Sequence, residues 1–194
     1  MGAPVPDRKS AVVLRGIVTM NRFIPASRLP PHHPMSERKT ADQWFAEYGE
    51  SHQNATNETI HWICVPTIFY CVLGLIWSIP VGGALATVMP WFNWTLPVAL
   101  GVLWFYLRLS LPLAVGMFLF TGACFALIEW QHAAGCPVPI WKSSLALFVV
   151  AWIGQFIGHK IEGKKPSFFH DLVFLLIGPA WLMHFIYRKL KIAY

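Results

Sequence analysis

Charge is missing from most of this chain, and that absence constrains the fold more than any motif does. No Asp, Glu, Lys or Arg occurs in residues 59–107, and further charge-free runs cover 109–128, 143–159 and 172–187. Of the 194 residues only 12% are charged and 56% are apolar, whereas a soluble domain carries about 25% charged residues. A helix crosses a bilayer with roughly 20 mostly apolar residues. Lipid cannot hydrogen-bond the backbone, so a spanning segment is a helix or part of a closed barrel. The apolar runs are continuous and do not alternate with period two, which excludes a barrel. The sequence therefore predicts an all-α integral membrane protein. Its four or five hydrophobic helices lie at about 60–79, 94–107, 111–128, 140–157 and 172–187. Ten Trp agree with this, because Trp favours the headgroup layer.

Residues 1–40 differ from the rest. They are rich in Pro and basic residues, and Arg15 interrupts their one mildly apolar stretch. This segment reads as a disordered tail, with His32 and His33 incidental, ahead of a membrane-embedded helical domain over 41–194. Trp44 and Tyr48 fit one face of a short interfacial helix over 41–49 that Gly49 ends. Thr56 is a plausible N-cap for the next helix, with Glu58 in its first turn.

The net charge of +6 raises the question of nucleic acid. The basic residues sit in loops and tails, where they suit anionic lipid headgroups and set orientation. No nucleic-acid-binding motif is present, so the expected partner is membrane lipid. With the N-terminus cytoplasmic, Arg108, Lys160, Lys164 and Lys165 fall inside. A spanning fifth helix would put Arg188, Lys189 and Lys191 outside, against the positive-inside rule. The fifth segment is short and contains Gly178-Pro179, so a re-entrant or interfacial course is the alternative. The four Cys lack CxxC spacing, which argues against a disulfide framework or a zinc site.

Two polar constellations interrupt this pattern. The first is Tyr48-x3-His52-x4-Asn57-x3-His61, just before an apolar run. Asn57 and His61 are four apart and share a helix face. His52 and His61 are nine apart and would point roughly 180° apart on one straight helix. They converge only if the chain turns at 53–56. The second is Gln155-x2-Gly158-His159-x2-Glu162-x3-Pro166, just after another apolar run. His159 and Glu162 share a face if the helix continues. Glu162 could bind metal or hold His159 in one tautomer. The three lysines nearby read as cytoplasmic anchors or as an attraction for an acidic headgroup. Under this topology both constellations lie on one side of the membrane. Three imidazoles plus a carboxylate or water suit Fe(II), Mn or Zn, and open positions favour Fe(II) oxygen chemistry. His132 sits at the opposite end of the helices, about 25 Å from His159. His170 and His184 lack spaced partners.

These motifs carry a resemblance. The segment 44–66, with Tyr-Gly-Glu-Ser-His-Gln-Asn-Ala-Thr-Asn-Glu-Thr-Ile-His61, resembles the opening of a small membrane-protein family. The segment 152–179, with Gln-Phe-Ile-Gly-His159, Glu162, Pro166, Asp171 and Gly178-Pro179, resembles its closing half. The resemblance covers about residues 41–194. The fungal member of this family is an endoplasmic-reticulum dioxygenase of phytosphingosine breakdown. It uses Fe(II), without 2-oxoglutarate, to shorten 2-hydroxy fatty acids by one carbon. The resemblance implies that His52, His61 and His159 are iron ligands, and that Asn57, Glu162 and Asp171 support them. It implies a 2-hydroxy fatty acid and O2 as substrates. The fungal pattern has His where this chain has Gln53. The chain looks more like bacterial relatives, which implies the inner membrane, or the endoplasmic reticulum in a eukaryote.

Other readings stay open at this level: a b-type heme or quinone carrier, or a non-catalytic lipid-binding protein. A transporter fits poorly, because ion-coupled carriers often need a charge in mid-span.

Overall fold

The computed structural model describes residues 39–167 and 173–194. Residues 39–194 form one compact unit. The tail with His32 and His33, and the segment with His170 and Asp171, lie outside the described residues.

Seven helices and no strand occur among the described residues: α1 (Ala41–Gly49), α2 (Ala55–Trp77), α3 (Gly83–Val88), α4 (Thr95–Leu109), α5 (Leu111–Ala133), α6 (Ile140–Glu162) and α7 (Phe174–Leu190). Three of them, α2, α5 and α6, are long and apolar enough to span a membrane. Each has 23 residues, about 34 Å at 1.5 Å per residue, against a hydrocarbon core of about 30 Å. Their outer faces keep apolar side chains exposed, as at Ile63 (68%), Leu119 (64%) and Val150 (66%). Exposed apolar surface on this scale marks contact with lipid.

Local chemistry places the helix ends. Thr40 accepts from Gln43 N–H while its own N–H donates to Gln43 Oε1, a capping box that starts α1. Asn54, not Thr56, caps α2: its side chain accepts from the N–H groups of Thr56 and Asn57. The helix thus begins five residues before the expected start at Ile60, because a capped polar turn extends the apolar core. Helix α6 runs on through Glu162 and stops at Gly163, whose φ of 74° suits a residue without Cβ. The short α3 lies inside an expected loop.

Helices α2 and α6 form the closest pair. Gly154 and Gly158 give α6 a small-x3-small face, the spacing that lets membrane helices approach. A Cβ on Gly158 would fall 2.4 Å from Asn57 Oδ1, and one on Gly154 would fall 2.8 Å from Cys64 Sγ. The pair is antiparallel, so the start of α2 meets the end of α6.

The fifth apolar segment does not run the length of the bundle. Helix α7 has 17 residues with Pro179 inside, and both of its ends meet the same end of the bundle. Phe174 packs on Trp44 and Tyr48 of α1, while Tyr187 donates to the Pro112 carbonyl at the start of α5 (2.6 Å). Tyr106, near the end of α4, donates to Leu176 O (2.7 Å). Beyond α7, Tyr194 pairs with His184 and reaches Asp42 of α1. Helices α1 and α7 therefore lie across the bundle end where α2 starts and α6 stops. Lys160, Lys164, Lys165 and Arg188 share that end, and Lys142 alone of the described Lys and Arg residues sits at the opposite one.

Candidate metal centre

The turn between α1 and α2 delivers His52, the first two turns of α2 deliver Asn57 and His61, and the last turn of α6 delivers His159. The three imidazoles meet. Ring centroids are 4.3 Å apart for His52–His61, 5.0 Å for His52–His159 and 4.9 Å for His61–His159. The rings stand nearly perpendicular in pairs, at 79°, 72° and 89°. One ring nitrogen from each lies within 4.8 Å of one from each of the others. All three residues are buried.

Hydrogen bonds decide which nitrogens face inward. His52 Nδ1 lies 2.6 Å from Tyr48 O, and His61 Nδ1 lies 2.9 Å from Asn57 O. A carbonyl oxygen only accepts, so both Nδ1 atoms carry the proton and both Nε2 atoms keep the lone pair. Those two Nε2 atoms, together with Nδ1 of His159, are buried and have no hydrogen-bond partner. A buried polar atom left unpaired costs about 1–3 kcal/mol. Three such nitrogens converging in one place fit a metal ion, which would satisfy all of them at once. Burial, followed by the neighbouring His61, pushes the His52 imidazole down to about 3. It is therefore neutral at physiological pH, as a metal ligand must be.

The surrounding residues hold this geometry. Tyr48 stacks on the His52 ring (4.1 Å, 21°), and burial keeps its phenol protonated. Ser51 Oγ and Ser167 Oγ share a buried hydrogen bond of 2.6 Å, tying the His52 turn to the segment after α6. Glu162 accepts from Gln53 N–H (2.9 Å), Asn54 N–H (2.8 Å) and Asn57 Nδ2 (3.2 Å). Its carboxylate thus clasps the backbone of the turn that carries His52. Asn57 also donates to Ser51 O (3.1 Å). The Gln53 side chain is exposed and donates to Gly49 O, and the three histidines meet without it.

Lys164 donates to Glu50 O (2.6 Å) at the end of α1, a structural use of one of the three lysines. His132 packs on Trp77 (4.9 Å) at the far end of α2 and takes no part in the cluster. His184 belongs to the Tyr194 contact. Ser51, Ser167 and Trp181, whose ring lies 5.4 Å from His52, belong to the site without a role in either sequence constellation. Adjacency to His52 was the one signal for Ser51, and no spacing rule pointed to the other two.

A cavity of about 400 Å³ opens from the histidines into the bundle. His61, Gln155 and His159 form its polar head, and Val65, Phe69 and Leu73 continue it along α2. His61 to Leu73 spans about 18 Å of helix. On the other side of His159 lies a cleft of about 620 Å³ bordered by Lys160, Lys164 and Lys165. The centre thus sits between a basic surface and an apolar interior, an arrangement suited to an amphiphile with an anionic head.

The family described as 2-hydroxy-palmitic acid dioxygenase Mpo1-like matches residues 38–190. The chain is similar to the 2-hydroxy-palmitic acid dioxygenase MPO1 of Saccharomyces cerevisiae, with 31% identity over 136 residues, 68% of this chain and 71% of the yeast protein. No solved structure matches it significantly. The match extends from just before α1 to the end of α7 and so takes in every residue of the three-histidine cluster: the chain belongs to the Mpo1-like family.

Proposed function

We propose that this membrane protein is an Fe(II)-dependent dioxygenase that shortens 2-hydroxy fatty acids by one carbon, an α-oxidation. The observation that carries this reading is the meeting of three buried imidazoles, with unpaired nitrogens, at the head of an apolar cavity. The yeast relative's activity toward a 2-hydroxy acid points to the same substrate class.

In this reading His52, His61 and His159 hold the iron. Bound iron would supply the redox chemistry by which O2 cleaves the bond between the carboxyl carbon and the hydroxyl-bearing carbon. Tyr48 O and Asn57 O keep two of the ligands in the binding tautomer. Glu162 and Asn57 hold the His52 turn against α6, and Asp171 keeps the supporting role that the family resemblance implies. Gln155, one helical turn before His159, presents a buried amide where substrate oxygens would lie. The apolar walls take the acyl chain and exclude water from the reacting end. In a bacterial cell the host membrane would be the inner membrane, and in a eukaryotic cell the endoplasmic reticulum.

The test is metal analysis of anaerobically purified protein, followed by oxygen uptake with Fe(II) and 2-hydroxypalmitate. The expected result is about one iron per chain, with uptake lost in His159→Ala. Full iron content and full turnover in His159→Ala would overturn the assignment.

A further inference from the structure

Short side chains border the 400 Å³ cavity where it meets α4 and α5. On α4 these are Ala99 and Val102, and on α5 it is Thr121. The same three residues form the inner wall of a second cavity, of about 250 Å³, between α4 and α5. That second space is almost wholly apolar, and its outer edge carries Leu100 and Phe118, which are 66% and 60% exposed on the lipid-facing surface. Gly122 lines it too, and a Cβ there would meet nothing within 4 Å. The three shared residues thus stand between the metal-site cavity and the groove of α4 and α5.

We propose that the acyl tail of a long substrate passes over Ala99 and Thr121 into the groove between α4 and α5, and that these two residues set how long a tail the enzyme accepts. This inference rests on the proposed function, because it takes the occupant of the cavity to be the tail of a 2-hydroxy acid. The head is fixed at the histidines, so tail length has to be accommodated at the opposite end. Leu73 and Ala99 lie there, each about one turn from the end of its helix that faces away from the site. A closed floor would cap the chain. A wall of Ala99, Val102 and Thr121, backed by an apolar groove at the lipid-facing surface, lets it continue without exposing methylenes to water.

The test compares kcat/KM, by oxygen uptake, for 2-hydroxydecanoate and 2-hydroxytetracosanoate in the unmodified enzyme and in Ala99→Phe and Thr121→Phe. The quantity read is the long-to-short ratio within each protein, so a general loss of folded enzyme cancels. The expected result is turnover of both acids by the unmodified enzyme and a ratio at least about tenfold lower in each variant, the low end of the discrimination that one methylene gives. A ratio within about twofold of the unmodified enzyme in both variants, or no turnover of the long acid by the unmodified enzyme, overturns the inference and leaves the proposed function standing. No turnover of either acid by iron-loaded unmodified enzyme overturns the proposed function itself.

Discussion

His52 donates its Nδ1 proton to the carbonyl oxygen of Tyr48 at 2.6 Å, and that bond turns Nε2 toward His61 and His159. The donor lies in a turn and the acceptor in the last turn of α1, so a short helix on the bundle end sets the tautomer of a group at the centre. His61 repeats the device within α2 through Asn57 O. The inward nitrogens therefore need no proton removed before a metal binds, which makes the site a base-ready cage rather than a set of surface imidazoles.

Glu162 is expected to matter through the turn it clasps. Glu162→Ala removes the acceptor for two backbone N–H groups and for Asn57. Gln53 and Asn54 are exposed, so water replaces part of the loss and stability falls by only about 1 kcal/mol. Metal affinity falls further, by about 10–100-fold, as for other residues that orient ligands. Metal titration beside thermal unfolding reads both, and unchanged affinity would remove the clasp from the account.

Gly158 and Gly101 should respond differently to alanine. A Cβ on Gly158 falls 2.4 Å from Asn57 Oδ1, whereas one on Gly101 meets nothing within 4 Å. Gly158→Ala should destabilise by about 1–3 kcal/mol through forced displacement of Asn57. Gly101→Ala should be neutral or stabilise by up to about 1 kcal/mol, from helix propensity. Unfolding in detergent micelles measures both, and equal effects would contradict the tight α2–α6 crossing.

Acid should destabilise the metal-free protein. The unfolded chain takes up a proton on His52 near pH 6.5, while the folded protein resists until about 3. Stability is therefore complete above about pH 6.5 and is lost progressively as pH falls toward 3. At pH 5 the loss from this group is about 2 kcal/mol. The check is the unfolding midpoint against pH with and without His52→Asn, and parallel curves would show that His52 does not titrate this way.

Helix α7 lying across one end makes a topological prediction. Cys136 is exposed between α5 and α6, at the end away from the histidines. In sealed vesicles an impermeant maleimide should label Cys136 from one side. A cysteine placed by Ile192→Cys in a Cys136→Ala background should be labelled from the other. Labelling of both from the same side would mean that α7 spans.

Much of this was legible in the residues themselves. Continuous charge-free runs determined an all-helical membrane protein, because lipid offers the backbone no partner and a helix satisfies its own N–H and C=O groups. Spacing put Asn57 and His61 on one face, and His159 three residues from Glu162. Helix ends were less legible: Asn54 outcompeted Thr56 as a cap because its side chain reaches two N–H groups at once. Nothing in the apolar pattern separated a spanning fifth helix from one lying flat, since composition reports solvent preference and not direction. Only the tertiary structure decided that α7 crosses the bundle end, that Glu162 grips a backbone turn, and that three histidines separated by up to 107 residues share one buried point. Those outcomes depend on contacts between distant segments, such as the glycine face of α6 against α2, whose energies no local stretch of sequence contains.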